Sequence, residues 1–128
     1  YRTDLIEAIR DDYVIIVTAR PDYQMRQTME NIKKKTGWQP DEWYFNDING
    51  EPPVFKERAL KNWIFPKHGE QDGPKGAHYY AVESNPKTRT MYKRYGIEAA
   101  PYDMFMKKRL APQPVMAQEP ECFQLKMF

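Results

Sequence analysis

Residues 13–18, Tyr-Val-Ile-Ile-Val-Thr, form an unbroken run of apolar and β-branched side chains. A strand with one solvent-facing side would alternate polar and apolar residues, and this run does not. The pattern therefore predicts a strand covered on both faces, which is typical of a parallel sheet between two layers of helices. This segment places the chain in the α/β class of folds.

Helical and extended patterns alternate along the rest of the chain. Asp22 can cap one helix, which Gly37 would end, and Asn85 can cap another, which Gly96 would end. Strands that alternate with helices of about ten residues predict a Rossmann-like, mainly parallel sheet with flanking helices. The extended candidates are residues 13–18, 43–45, 77–83, 97–101 and, as an edge or docking strand, 123–128.

Composition excludes several classes of protein. The 128 residues suffice for one domain, and a formal net charge of +2 is too small to indicate nucleic-acid binding by itself. No stretch approaches the roughly 20 consecutive apolar residues of a membrane-spanning helix, so we expect no membrane partner and a cytoplasmic protein. The single Cys122 excludes an intrachain disulfide, and the two histidines, His68 and His78, add no zinc-site pattern.

The sequence predicts one domain followed by a tail. We expect an α/β domain in residues 1–106 and a Pro-rich C-terminal tail in residues 107–128, because the helical pattern fades and prolines accumulate there. The first residue is Tyr1, and an initiator Met is not normally removed ahead of so bulky a side chain. We therefore expect the domain to be truncated at its N-terminus.

Three polar segments follow predicted strands or begin predicted helices: Thr18-Ala19-Arg20, Lys56, and Glu83-Ser84-Asn85-Pro86. Ligands of parallel α/β sheets bind beyond the carboxyl ends of the strands. A hydroxyl, a cation and the N–H groups of a helix N-terminus together suit a phosphate group. The sequence therefore predicts a phosphate-binding site at this edge of the sheet.

These three segments, in this order, resemble the motifs of the haloacid dehalogenase-like (HAD) phosphohydrolases. The similarity is to small phage enzymes like the 3′-phosphatase domain of bacteriophage polynucleotide kinase. It covers roughly residues 3–105 and rests on the order and spacing of three motifs. The resemblance implies a HAD-like domain whose N-terminal first motif is absent.

The resemblance implies catalytic and phosphate-binding roles for the first two segments. Thr18 matches the second motif, whose hydroxyl holds the transferring phosphoryl group, and Ala19 and Arg20 lie beside it in the phosphate-binding segment. Lys56 matches the lysine of the third motif, which neutralises charge on that group. Lys61 is the alternative to Lys56 if the alignment is shifted by one helical turn.

The resemblance also implies a Mg²⁺ cofactor and an aspartate nucleophile. Glu83 matches the metal-binding fourth motif, but Ser84 stands where an aspartate is common, so Glu83 is the only carboxylate of that motif. Family members attack the phosphate with the first aspartate of an Asp-x-Asp motif, and the second acts as acid and base. No two aspartates of this sequence are separated by one residue, so the nucleophile is missing.

In the family, the absent motif lies on the central strand, between the strands that end here at Thr18 and Glu83. Without that strand, each buried and unpaired backbone group costs on the order of 1–3 kcal/mol. We expect an upstream segment or a strand from another chain to fill the gap. Residues 123–128 are the third candidate.

Two functions follow from these observations. The first is a HAD-like phosphatase domain for a nucleotide or polynucleotide 3′-phosphate, inactive as it stands for lack of the nucleophile. It would be a Mg²⁺-dependent phosphomonoester hydrolase if an upstream segment supplied the first motif. The second is a catalytically silent HAD-fold binding or structural subunit of a phage assembly, in an infected bacterium or in the phage particle. Without the resemblance, Thr18, Lys56 and Glu83 are interpreted as a strand-end residue, a surface charge and a helix-facing carboxylate.

A third possible function is a nucleic-acid-binding module. It would depend only on the basic residues within 87–94.

Overall fold

The computed structural model describes residues 3–110 and 123–127. These residues form a mixed α/β fold with one five-stranded parallel sheet in the order β2-β1-β5-β3-β4. The strands are β1 Tyr13–Pro21, β2 Glu42–Asn46, β3 Ala77–Val82, β4 Glu98–Ala100 and β5 Phe123–Met127. The helices are α1 Thr3–Ile9, α2 Met25–Thr36, α3 Pro52–Ala59, α4 Phe65–His68, α5 Pro86–Arg94 and α6 Tyr102–Leu110. None of these helices has the length and apolar character that a membrane crossing requires.

Helices cover both faces of the sheet, as the unbroken apolar run in β1 predicts. Ile15 and Val17 pack with residues of α3 and α5, and we name this side of the sheet the α3 face. Val14 and Ile16 point the other way, towards residues of α1, α2 and α6, and we name this side the α2 face. Because successive strand residues point to opposite faces, a strand buried on both sides needs apolar residues at every position.

β5 occupies the centre of the sheet, between β1 and β3. Tyr13 pairs with Leu125 on one side and Ala77 pairs with Phe123 on the other, while the side chain of Met127 is fully buried. The third candidate thus fills the gap, in place of an upstream segment or a second chain. Of the two predicted roles, edge strand or docking strand, the edge strand is wrong, because β5 supplies the backbone partners that two buried strand edges need.

Part of the predicted tail belongs to elements of the fold. α6 extends through Leu110, and β5 pairs with strands of the predicted domain. Residues 111–122, which include Cys122, lie outside the described residues, as do Tyr1, Arg2 and Phe128. Among the helices, α4 and α6 are absent from the sequence prediction.

The segment after β1 differs in detail from the sequence prediction. The strand continues to Pro21, and its pairing with β2 is irregular between Thr18 and Pro21. A 3₁₀ turn, Asp22–Gln24, follows β1. Asp22 does not cap α2, because it belongs to this turn and Gln24 is the residue directly before α2. α2 ends as predicted at Gly37, whose φ of 69° is a left-handed conformation that glycine adopts without steric cost.

Candidate functional site

Lys56 and Glu83 form a buried ion pair at the carboxyl edge of the sheet. Lys56 lies in α3, and its Nζ donates a hydrogen bond to Oε2 of Glu83, the residue directly after β3. Their side chains are only 10% and 8% exposed. The predicted phosphate-binding lysine and the predicted metal ligand are therefore in direct contact. Lys61, the alternative lysine, is exposed and lies in the π-helical stretch Leu60–Ile64 that joins α3 to α4.

Hydrogen bonds fix the turn that carries Glu83. The second carboxylate oxygen, Oε1, accepts from the backbone N–H of Asn85 at 3.0 Å. Asn85 then caps α5 as predicted, since its Oδ1 accepts from the N–H of Lys87 at 2.9 Å. From the next turn of α5, Arg89 donates to the carbonyl oxygens of Glu83 at 3.0 Å and Ser84 at 2.8 Å. These bonds hold the carboxylate of Glu83 towards Lys56.

Thr18 lies at the same edge of the sheet but on its α2 face. It lines a cleft there together with Arg20, and its Oγ1 accepts a hydrogen bond from the backbone N–H of Arg20 at 3.2 Å. Within the described part of the chain, no hydrogen bond joins Thr18 to Lys56 or Glu83. The predicted site residues therefore form two groups, one on each face, with Ala19 in the first.

The pairing of β5 with β1 and β3 shows how far along the sheet each of the two groups lies. Met127 lies opposite Ile15 on β1 and Ala81 on β3. Thr18 is three residues beyond Ile15, and Glu83 is two residues beyond Ala81. At about 3.3 Å per residue, both extend roughly 7–10 Å further towards the carboxyl edge than Met127. The two groups therefore lie on either side of β5 at the carboxyl edge of the sheet.

The described residues do not fit a resident Mg²⁺ ion at this edge. One oxygen of Glu83 accepts from Lys56 and the other from Asn85, so the carboxylate is already engaged. Nowhere in residues 3–110 and 123–127 do three His, Cys, Asp or Glu side chains group closely enough to hold a metal. Mg²⁺ prefers an octahedral set of hard oxygen ligands, and Glu83 provides one carboxylate here.

A second buried carboxylate, Glu42, lies at the opposite, amino edge of the sheet. Its oxygens accept from the hydroxyls of Tyr13 at 2.6 Å and Tyr44 at 2.7 Å and contact Nε2 of His68. Lys67 adds an ion pair at 3.3 Å. These contacts join α4 to β1 and β2. We call these five residues the Glu42 cluster.

The contacts within the Glu42 cluster keep Glu42 ionised and both tyrosines protonated. Burial by itself would raise the pKa of Glu42, but the hydrogen bonds from Tyr13, Tyr44 and His68 outweigh it and lower the pKa to about 2. Burial and the bond to Glu42 raise the pKa of Tyr13 and Tyr44, so both phenols remain hydrogen-bond donors. No pattern in the sequence indicates this role for His68. The one available signal was a glutamate at the start of an aromatic strand.

We expect the Glu42 cluster to make folding depend on acid pH. The pKa of Glu42 is about 2 in the folded protein against an ordinary value of 4.5. Its contribution to stability is therefore complete above about pH 4.5 and is lost as the pH falls towards 2. Glu42→Gln should remove this part of the pH dependence. Urea unfolding near neutral pH and at about pH 3 measures the effect.

Glu70→Gln is the matched control for this measurement, because Glu70 is exposed. It should leave the acid dependence as in the wild type. If Glu42→Gln loses as much stability between neutral pH and about pH 3 as the wild type does, the role given to Glu42 is contradicted.

Comparison with protein-family models, with curated proteins and with solved structures gives no match to this chain.

Proposed function

We propose that this chain is a HAD-like domain of the phosphatase type, which binds the phosphate of a nucleotide or of a polynucleotide 3′ end without hydrolysing it. One observation carries the proposal. The Thr18-Ala19-Arg20 segment and the Lys56–Glu83 pair flank the carboxyl end of the central strand. Ligands of parallel α/β sheets bind at this edge.

The donors available at this edge suit a phosphate group. Thr18 accepts a hydrogen bond from the N–H of Arg20, which leaves its hydroxyl proton for a ligand oxygen. Arg20 is exposed, and its guanidinium forms no hydrogen bond or ion pair with any described residue. Lys56 would add one of its remaining N–H donors from the α3 face, since an ammonium group has three. Charge-assisted hydrogen bonds of this kind are about twice as strong as neutral ones.

The proposal excludes turnover because the sequence has no Asp-x-Asp motif, which supplies the nucleophile in the family that it resembles. Covalent phosphoryl transfer needs an activated nucleophile and an acid–base group. β5 occupies the central position that the resemblance assigns to the first motif, and its sequence, Phe-Gln-Leu-Lys-Met, has no carboxylate. Glu83 is paired with Lys56. A Mg²⁺ ion would enter this proposal only with ligands in addition to Glu83.

The second candidate function is a catalytically silent HAD-fold binding or structural subunit, as in a phage assembly. The buried ion pair favours it, because Glu83 already neutralises the charge of Lys56. A phosphate would then gain little from that side of the edge. Phosphate binding distinguishes the two candidates.

The first test is a titration of the protein with inorganic phosphate, which is monitored by calorimetry and by the NMR chemical shifts of the backbone amides. We expect saturable binding with shifts at Thr18 and Arg20. Arg20→Ala should weaken binding about tenfold or more, because it removes a charge-assisted hydrogen bond of about 1.5–3 kcal/mol. The same preparation should not hydrolyse p-nitrophenyl phosphate, with or without Mg²⁺.

Arg26→Ala is the control, because Arg26 is an exposed arginine of α2 that pairs with Glu30 outside the cleft. It should not change phosphate affinity. Absence of phosphate binding in the wild type would leave the structural subunit as the function. Metal-dependent hydrolysis would refute the proposal of binding without turnover.

A further inference from the structure

A cleft of about 460 Å³ lies on the α2 face, between β1, β2 and α2. This volume is within the range of about 300–1,000 Å³ that is typical of small-ligand sites. Its residues combine apolar side chains with two hydroxyls and one guanidinium. They are Ile16, Thr18, Arg20, Thr28, Ile32 and Phe45.

The lining residues are ordered from the inside of the cleft to its mouth. Along β1, Ile16 lies furthest from the carboxyl edge and Arg20 lies nearest to it. α2 returns from that edge towards the start of β2, so Thr28 is nearer the edge than Ile32. The part of the cleft furthest from this edge is therefore apolar, with Ile16 and Ile32, and the outer part carries the polar side chains. Phe45 lies between the two parts, since it pairs with Thr18 across β1 and β2.

This order fits a ligand with an anionic group at one end and a compact apolar group at the other. The proposed phosphate donors, Thr18 and Arg20, lie in the outer part of the cleft. The organic part of a phosphomonoester bound to them would extend inwards, against Ile16, Ile32 and Phe45. A flat ring can cover this apolar lining at little cost in conformational entropy.

We infer that the ligand is a small phosphomonoester carrying one flat ring system, such as a mononucleotide or an aryl phosphate, with the ring system in this cleft. The inference rests on the proposed function and narrows its ligand class. A polynucleotide end would bring further phosphates, which need several cations along their path. Arg20 is the single cation among the residues that line the cleft in the described part of the chain.

The experiment compares the affinities of inorganic phosphate, phenyl phosphate, adenosine 3′-monophosphate and a 3′-phosphorylated oligothymidylate by calorimetry. We expect the two ring-bearing monoesters to bind about tenfold or more tightly than inorganic phosphate. The oligonucleotide should bind no more tightly than the mononucleotide. Phenyl phosphate should also shift the methyl signals of Ile16 and Ile32 in the wild-type protein, and inorganic phosphate should not.

Thr28→Phe should fill the cleft, because Thr28 lies at its rim. The gain in affinity from the ring should disappear, and the affinity for inorganic phosphate should stay within about twofold. Gln27→Phe is the matched control, because it adds the same side chain at an exposed position of α2 that does not line the cleft. It should retain the full gain.

Three outcomes would overturn the inference. If phenyl phosphate binds no more tightly than inorganic phosphate, and Arg20→Ala still weakens both, the cleft is not a ring site while the proposed function stands. Tighter binding of the oligonucleotide than of the mononucleotide would indicate a nucleic-acid end as the ligand. If inorganic phosphate does not bind at all, the proposed function itself fails.

Discussion

Lys56→Met is expected to lower the free energy of unfolding by about 3–5 kcal/mol. The substitution leaves the carboxylate of Glu83 without its counter-charge in a position that is only 7% exposed. An unpaired buried charge is far more costly than the loss of a surface ion pair, which is worth about 0–1 kcal/mol. The expected loss is a large share of the roughly 5–15 kcal/mol that stabilises a typical domain. Urea unfolding of the wild type and the variant measures it.

Two further variants separate the ion pair from other effects of the substitution. Lys56→Met combined with Glu83→Gln removes both charges, so it should recover most of the lost stability. Lys61→Met changes an exposed lysine close by in the chain, so its effect should stay within about 0.5 kcal/mol. A loss below about 1 kcal/mol in Lys56→Met would show that water reaches the pair.

Met127→Asp is expected to abolish the folded state. The side chain of Met127 is fully buried in the core on the α3 face, at the centre of the sheet. The substitution removes apolar contacts worth about 2–5 kcal/mol and adds a carboxyl group with no polar partner, at a further cost of several kcal/mol. Together these losses reach the margin of a typical domain. Circular dichroism and the dispersion of amide signals would show the unfolding.

Met104→Asp is the control for this variant, since Met104 is 62% exposed. It should fold with nearly wild-type stability. Met127→Leu, which conserves apolar volume, should cost less than about 1.5 kcal/mol. If Met127→Asp folds as well as Met104→Asp, the central placement of β5 is wrong.

Local signals in the sequence predicted the elements around the candidate site. The apolar run of β1 predicted a strand buried on both faces, because burial on each side requires apolar residues at consecutive positions. Asn85 and Gly37 marked a helix start and a helix end, since capping depends on residues only a few positions apart. These features depend on short-range chemistry, which a single sequence expresses directly.

Such local signals do not predict which distant segments of the chain come together in the fold. The alternating pattern of residues 123–127 is typical of a half-exposed strand, yet the segment pairs on both sides, with Tyr13 among its partners. The Glu42 cluster is assembled from β1, β2 and α4, and no spacing in the sequence relates Glu42 to His68. That Thr18, Lys56 and Glu83 form one phosphate site stays a prediction, because Thr18 lies on the α2 face of the sheet and the ion pair lies on the α3 face.

The central position of β5 also bears on how the chain is made. β5 follows every other described element, so a nascent chain that has emerged as far as Leu110 has β1 and β3 but nothing between them. Ribosomes add roughly 5–20 residues per second, so both inner strand edges stay open for about a second or more while the next residues are synthesised. During that interval they can pair with other nascent chains on a polysome. Synthesis of β5 is therefore the step that ends this exposure and commits the molecule to its own sheet.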